Sequence, residues 1–264
     1  MNEVATTVIG IDVGGEHKGF HAVALQAGTF VATLAHSDPA VIVSWCRQLK
    51  AVVVAVDAPC GWSDGAASRL AERSLAIGGN KISCFATPTR ALANRSNFYK
   101  WVFNGARLYQ QLAQHYRLFD GVRRSSLTCF ETFPHAVVCA LAGRVVAARP
   151  KRETRRNARR QRGYDVGSLT NVDFVDAGLC AITAALLALW PCRHHPARQR
   201  TYHGMREGLK ACQRAAPHAI EERVMLRQLL VEQRTIEYPF VEVASVCACA
   251  RGRGKARYFI AADR

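Results

Sequence analysis

Apolar, β-branched positions run through Val8-Ile9-Gly10-Ile11, end on Asp12, and are followed by Val13-Gly14-Gly15. This pattern predicts a buried strand from Thr7 to Asp12 that delivers a carboxylate to a glycine turn. A second strand is expected from Gly19 to Leu25. A third is expected from Thr29 to Ala35, after the Gln26-Ala27-Gly28 turn. Connections this short imply antiparallel pairing. Ser37-Asp38-Pro39 then predicts a helix start, with Ser37 or Asp38 as the cap and Pro39 in the first turn. The continuous apolar run Ala51 to Val56 ends at Asp57-Ala58-Pro59-Cys60-Gly61 and reads as a strand buried on both faces. Reaching it through a helix implies a crossover and parallel pairing with the first strand.

Beyond this β-β-β-α-β start, a helix is expected from Gly65 to Ala76, ended by Gly78-Gly79. Another runs from Phe98 to Tyr116, with Trp101, Leu108 and Leu112 as core positions. A strand is expected from Leu127 to Phe133, carrying Glu131, and then a helix from Pro134 through Leu141. The segment Lys151 to Arg162 is the most basic. Its charges recur at four-residue spacing, which places most of them on one helical stripe. Asn171 leads into a long apolar helix, Asp173 to Trp190. After Pro191 arginine, histidine and cysteine become frequent, and apolar periodicity is clear only from about Ala219 to Leu230. The chain thus divides into a core over residues 1–190 and an Arg/Cys-rich extension over residues 191–264.

Charge changes the picture. Lys and Arg number 36 against 20 Asp and Glu in 264 residues, a net charge of +16. Such an excess points to a polyanionic partner, and nucleic acid (DNA or RNA) is the expected one. There is no signal-peptide pattern at the start, and no apolar run reaches the roughly 18 residues of a membrane span. A cytoplasmic protein with no membrane partner is expected. Ten cysteines without a Cys-x-x-Cys pair read as reduced, mostly buried thiols, and Cys247 and Cys249 are spaced poorly for zinc.

The candidate chemistry lies in the acids. Asp12 and Asp57 close two strands expected to be neighbours, and sites in open α/β sheets gather at such ends. Glu131 closes another strand. Asp173 and Asp176 are three apart on one helical face. Carboxylates brought together need compensation, which Mg²⁺ or Mn²⁺ supplies with its preference for oxygen ligands. Two such ions roughly 3.5–4 Å apart clamp the attacking and leaving oxygens of a phosphodiester. Lys18, Arg90 and the stripe residues Arg155, Arg156, Arg159 and Arg160 are candidate phosphate contacts. His17, Thr87, Thr89, Arg69, Arg73 and His135 lie near the motifs and are open to structural roles as well.

Several motifs together give the sequence a family likeness. These are Gly10-Ile11-Asp12-Val13-Gly14-Gly15, Lys18-Gly19-Phe20, Val56-Asp57-Ala58-Pro59, Thr87-Pro88-Thr89-Arg90, Glu131-Thr132-Phe133-Pro134-His135-Ala136 and Asn171-Val172-Asp173-Phe174-Val175-Asp176-Ala177. With them the chain resembles, over about residues 7–190, the predicted nucleases of ribonuclease-H-like fold catalogued as domain of unknown function 429. The resemblance implies an α/β fold whose mixed sheet has three antiparallel strands, then parallel additions, flanked by helices. It also implies a metal-dependent nuclease core with acids at Asp12, Asp57, Glu131 and Asp176. The expected activity is phosphodiester hydrolysis with Mg²⁺ or Mn²⁺, with Asp173 as a further metal ligand. Two other readings stand beside it. One is a non-catalytic nucleic-acid-binding module on the same fold. The other is an actin-like or sugar-kinase-type ATP phosphotransferase, which would need a second phosphate loop that this chain lacks.

Overall fold

The computed structural model describes residues 6–189, apart from 66–67, 122–124, 162, 165–166, 168 and 170. The expected 191–264 extension, its periodic stretch at 219–230, Arg162, and Cys247 and Cys249 lie outside the described residues.

The first three strands form an antiparallel meander: β1 (Thr7–Val13), β2 (Phe20–Gln26) and β3 (Thr29–His36). Helix α1 (Pro39–Gln48) follows. Asp38 caps it by accepting a hydrogen bond from the Ala40 amide, and Pro39 occupies the first turn, where its missing N–H costs nothing. The chain returns as β4 (Val53–Asp57), parallel to β1 and in register from Val8↔Val53 to Asp12↔Asp57. Strand β8 (Thr128–Glu131) adds in parallel beyond β4, and the short β7 (Arg117–Leu118) pairs with it. The sheet order is β3-β2-β1-β4-β8-β7. This is the ribonuclease-H-like sheet that the sequence predicts: three antiparallel strands, then parallel additions, with helices on both faces.

The segment between β4 and β8 departs from the expected pattern. The helix expected from Gly65 to Ala76 is only α2 (Leu70–Ser74). Gly78 and Gly79 do not end a helix. They form the turn of a small hairpin, β5 (Ala76–Ile77) with β6 (Asn80–Lys81), at φ of 55° and 78°. Positive φ at both central residues is the geometry of a tight hairpin turn, and glycine adopts it without strain. A short helix α3 (Arg90–Ala93) and a 3₁₀ turn (Asn97–Tyr99) then lead into α4 (Lys100–Leu112). Helices α5 (Pro134–Ala142), α6 (Lys151–Gln161) and α7 (Val172–Ala188) complete the described fold. Asn171 caps α7 by accepting from the Asp173 and Phe174 amides. Among the described residues no helix is long and apolar enough to cross a membrane.

The pleat sorts side chains between two layers. Ile9, Ile11, Val54 and Val56 pack with Ile42, Val43 and Cys46 of α1 and Leu108 and Leu112 of α4. Val8, Val53, Ala55 and Phe130 pack with Cys180, Ala181, Ala184 and Leu187 of α7. Gly10 shares the α7 face with Val8 and Asp12. A Cβ added there would lie 2.1 Å from both the Ala177 carbonyl oxygen and the Ala181 amide nitrogen. Backbone therefore packs against backbone at this point, and only glycine permits it.

Gly10→Ala is expected to cost at least about 2 kcal/mol, because both neighbours are backbone and must shift. Gly15→Ala, with nothing within 4 Å of its added Cβ, is expected to stay within about 0.5 kcal/mol. Urea unfolding midpoints of the two variants check this.

Candidate metal centre

Asp12 and Asp57 are register partners at the C-terminal ends of adjacent parallel strands, and both point to the α7 face. Helix α7 crosses that face on Gly10 and brings Asp176, in its second turn, over the strand ends. One carboxylate oxygen from each of Asp12, Asp57 and Asp176 lies within 4.8 Å of the others. A second group shares Asp12: it joins Asp173, one turn earlier on α7, and His21, the cross-strand partner of Asp12 on β2. Asp12 is thus the common member of two candidate ligand sets.

Cations surround these acids. Lys151 Nζ lies 2.8 Å from Oδ2 of Asp176, and Arg155 Nε lies 2.7 Å from Oδ1. Lys18 Nζ lies 2.6 Å from Oδ1 of Asp173. His21 Nε2 is 4.0 Å from Oδ2 of Asp173, and its ring meets Phe174 edge-on at 5.1 Å. The Nδ1 atom of His21 is buried and has no hydrogen-bond partner among the described residues.

The electrostatics fit a cation site. Burial, followed by the charges of Asp176 and Asp173, pushes the Asp12 carboxyl up to about 7. Burial, Asp12 and Asp176 push Asp57 well above the usual carboxylate range. Burial raises Asp176 to about 6, against the lowering effect of Lys151. Burial lowers His21, partly offset by Asp173, so the imidazole stays neutral near pH 7. In the absence of an ion the cluster retains protons that a divalent cation would displace.

The sequence of residues 10–201 matches the profile of a family described as a protein of unknown function, DUF429. The chain belongs to the DUF429 family. No curated protein matches it. Among solved structures, that of Thermus thermophilus RuvC is similar at 14% sequence identity, with a TM-score of 0.42. The match covers 69% of this chain and 95% of that one.

In this DUF429 protein Glu131 does not join the other predicted acids. It pairs in register with Val56, one residue before Asp57, and so falls on the opposite face of the pleat. Its carboxylate takes two hydrogen bonds from the Arg69 guanidinium, at 2.8 and 2.5 Å, and one from the Cys60 amide at 2.9 Å. Burial works to raise the Glu131 carboxyl, but Arg69 and the Cys60 amide bring it below its usual value. Arg69 also donates from Nε to Glu72, 2.8 Å away. Glu72 in turn accepts from the amide and hydroxyl of the fully buried Thr87. This is a satisfied ionic network that ties β8 to α2 and the loop before α3.

The basic stripe is also divided. Lys151, Arg155 and Arg159 form one row of α6 on the side of α7, with Arg155 and Arg159 buried and Lys151 half-exposed. Arg159 is 0% exposed, with its guanidinium 5.7 Å from the centre of the Phe30 ring. Arg155 and Arg159 therefore offer no exposed surface for a phosphate backbone. Arg156 donates to the Leu169 carbonyl at 2.8 Å, while Arg160 remains exposed. Lys18 stands beside the acids, and Arg90 is exposed at the start of α3. His135 is buried, with Nε2 3.8 Å from the Cys139 sulfur. Sequence reasoning missed His21 and Glu72, and read Lys151 as part of the basic stripe rather than as the partner of Asp176. For His21 a signal existed: a polar residue in an apolar strand, placed where an antiparallel partner of Asp12 must lie.

Between about pH 4 and 7 the folded chain holds protons at Asp12 and Asp176 that the unfolded chain has released. Folded pKa values above the unfolded ones make metal-free stability fall as pH rises across that window. In EDTA the Tm should be higher at about pH 5.5 than at about pH 8. Asp12→Asn should raise the pH 8 value by roughly 3 °C or more and flatten the slope. Thermal denaturation monitored by circular dichroism reads both effects.

Proposed function

We propose that the protein is a metal-dependent nuclease that hydrolyses phosphodiester bonds in DNA or RNA. The observation that carries this reading is the convergence of Asp12, Asp57 and Asp176, from three separate elements, to within 4.8 Å. The donor set is the one that Mg²⁺ or Mn²⁺ takes, oxygen-rich and anionic. The sharing of Asp12 between this group and Asp173 with His21 supports two adjacent sites.

Bound ions would supply a Lewis acid for the phosphate and a water of lowered pKa. The chain's own residues have distinct tasks. Asp12, Asp57 and Asp176 hold the centre, and Asp173 with His21 extends it. Arg155 is buried and fixes Asp176 on the Oδ1 side. Lys151 is half-exposed, so it can exchange Asp176 for a phosphate oxygen when substrate and ions enter. Lys18, also half-exposed, occupies the same position beside Asp173. Glu131 serves as the anchor of Arg69 in this reading. The net charge of +16 favours association with a polyanion.

Purified protein with Mn²⁺ or Mg²⁺ should cut a labelled DNA or RNA from a panel of single strands, duplexes and branched forms, and EDTA should stop it. Asp12→Asn should lower the rate by at least about a hundredfold while nucleic-acid binding persists. Binding without metal-dependent cleavage by the wild type would instead favour the non-catalytic module. Glu131→Gln should leave Mn²⁺ affinity near the wild-type value in calorimetry, and should lower Tm through loss of the Arg69 pair.

A further inference from the structure

From the line of rings on the 83–103 segment, which opens to solvent at Phe98, we infer that the protein carries a stacking platform for unpaired nucleobases, so that its substrate has single-stranded character. This rests on nucleic acid being the substrate and specifies its form. Phe98 is 65% exposed, and the informative point is that it belongs to a cluster of rings. It does not stand alone. Its ring lies 5.7 Å from Phe85 and 5.3 Å from Tyr99, and Phe85 lies 5.2 Å from Trp101. A line of rings thus runs from solvent at Phe98 through Phe85 to Trp101.

That line leads into a pocket shared by Arg69, Glu131 and one acid of the candidate metal centre, Asp57. Phe85 and Trp101 line it together with Phe133. A strand whose bases stack on these rings has a path along the pocket toward Asp57. Arg90, Arg95 and Lys100 are exposed on the same segment and supply positive charge around the aromatics. Aromatic rings interleaved with cations bind single strands without sequence preference, because every base offers a π-face. The bases of an intact duplex are stacked on one another and do not present those faces, so this surface discriminates in favour of unpaired strands.

The test uses the full chain carrying Asp12→Asn, in EDTA, and fluorescence anisotropy of three labelled probes of equal length. These are an oligothymidylate, an abasic oligonucleotide of the same charge, and a blunt duplex. The oligothymidylate should bind tightest. Adding Phe98→Ala should weaken it roughly tenfold, about 1.4 kcal/mol, and leave the abasic probe unchanged. Phe98→Trp should restore the affinity. Equal binding of the abasic and base-bearing strands overturns the proposal. So does an unaltered affinity of Phe98→Ala, or a preference for the blunt duplex. Because no cleavage is read, the two ideas separate. A wild type that cuts no substrate, while its binding depends on Phe98, removes the nuclease reading alone. A cutting wild type whose binding ignores Phe98 removes the platform alone.

Discussion

Everything that places chemistry in this molecule depends on one close approach, that of helix α7 to strand β1 at Gly10. The Ala177 carbonyl and the Ala181 amide sit where a side chain would otherwise be. This contact lowers α7 onto the sheet and sets its height and rotation together. Asp176 immediately precedes Ala177, so the residue that touches Gly10 also fixes where that carboxylate falls. The helix is apolar nearly all round and buries most of its length, which suits a helix whose position is set by packing. An inward-facing aspartate near its start is the exception, and it is held by Lys151 and Arg155.

The second constraint is the period-two alternation of the sheet. Strand register carries Asp12 and Asp57 to the same face and the same height. The same register carries Glu131 to the other face, beside Val56. Two acid systems result, one residue out of phase. The Asp12 system is crowded with like charge and buried, so its carboxyls are pushed up and are receptive to a cation. The Glu131 system is neutralised by Arg69, so its carboxyl is brought down and its role is to join elements. The partner charge, rather than the burial common to both, decides which behaviour follows.

Helix α6 shows the same partition in the basic residues. The row Lys151, Arg155 and Arg159 lies on the side of α7, toward Asp176 and the α7 backbone near Gly178, where the Arg159 guanidinium lies 3.1 Å from an added Cβ. Part of what the α6 charge stripe presents as a surface for polyanions is therefore internal balance for the acid cluster. Arg152 and Arg160 of that helix, and Arg90, Arg95 and Lys100 on residues 83–103, are among the cations that face solvent.

By itself the sequence determined the sheet and the identity of its central acids. Apolar runs bounded by turns marked β1 to β4 within about two residues: β1, β2 and β4 are buried along most of their length, and the edge strand β3 follows β2 through a tight glycine turn. The Asn171 and Asp38 caps were legible because capping is local. The adjacency of Asp12 and Asp57 followed from a single crossover. The tertiary structure alone decided the rest. Whether Glu131 joins the cluster depends on register between strands 70 residues apart in the chain, and a shift of one residue reverses the face. Whether an arginine of α6 meets phosphate or Asp176 depends on the rotation of that helix, and a charge stripe reads the same in either case. Lys151 became visible as a partner of Asp176 only when α6 and α7 came together, since the packing of one helix on another leaves no trace in local pattern.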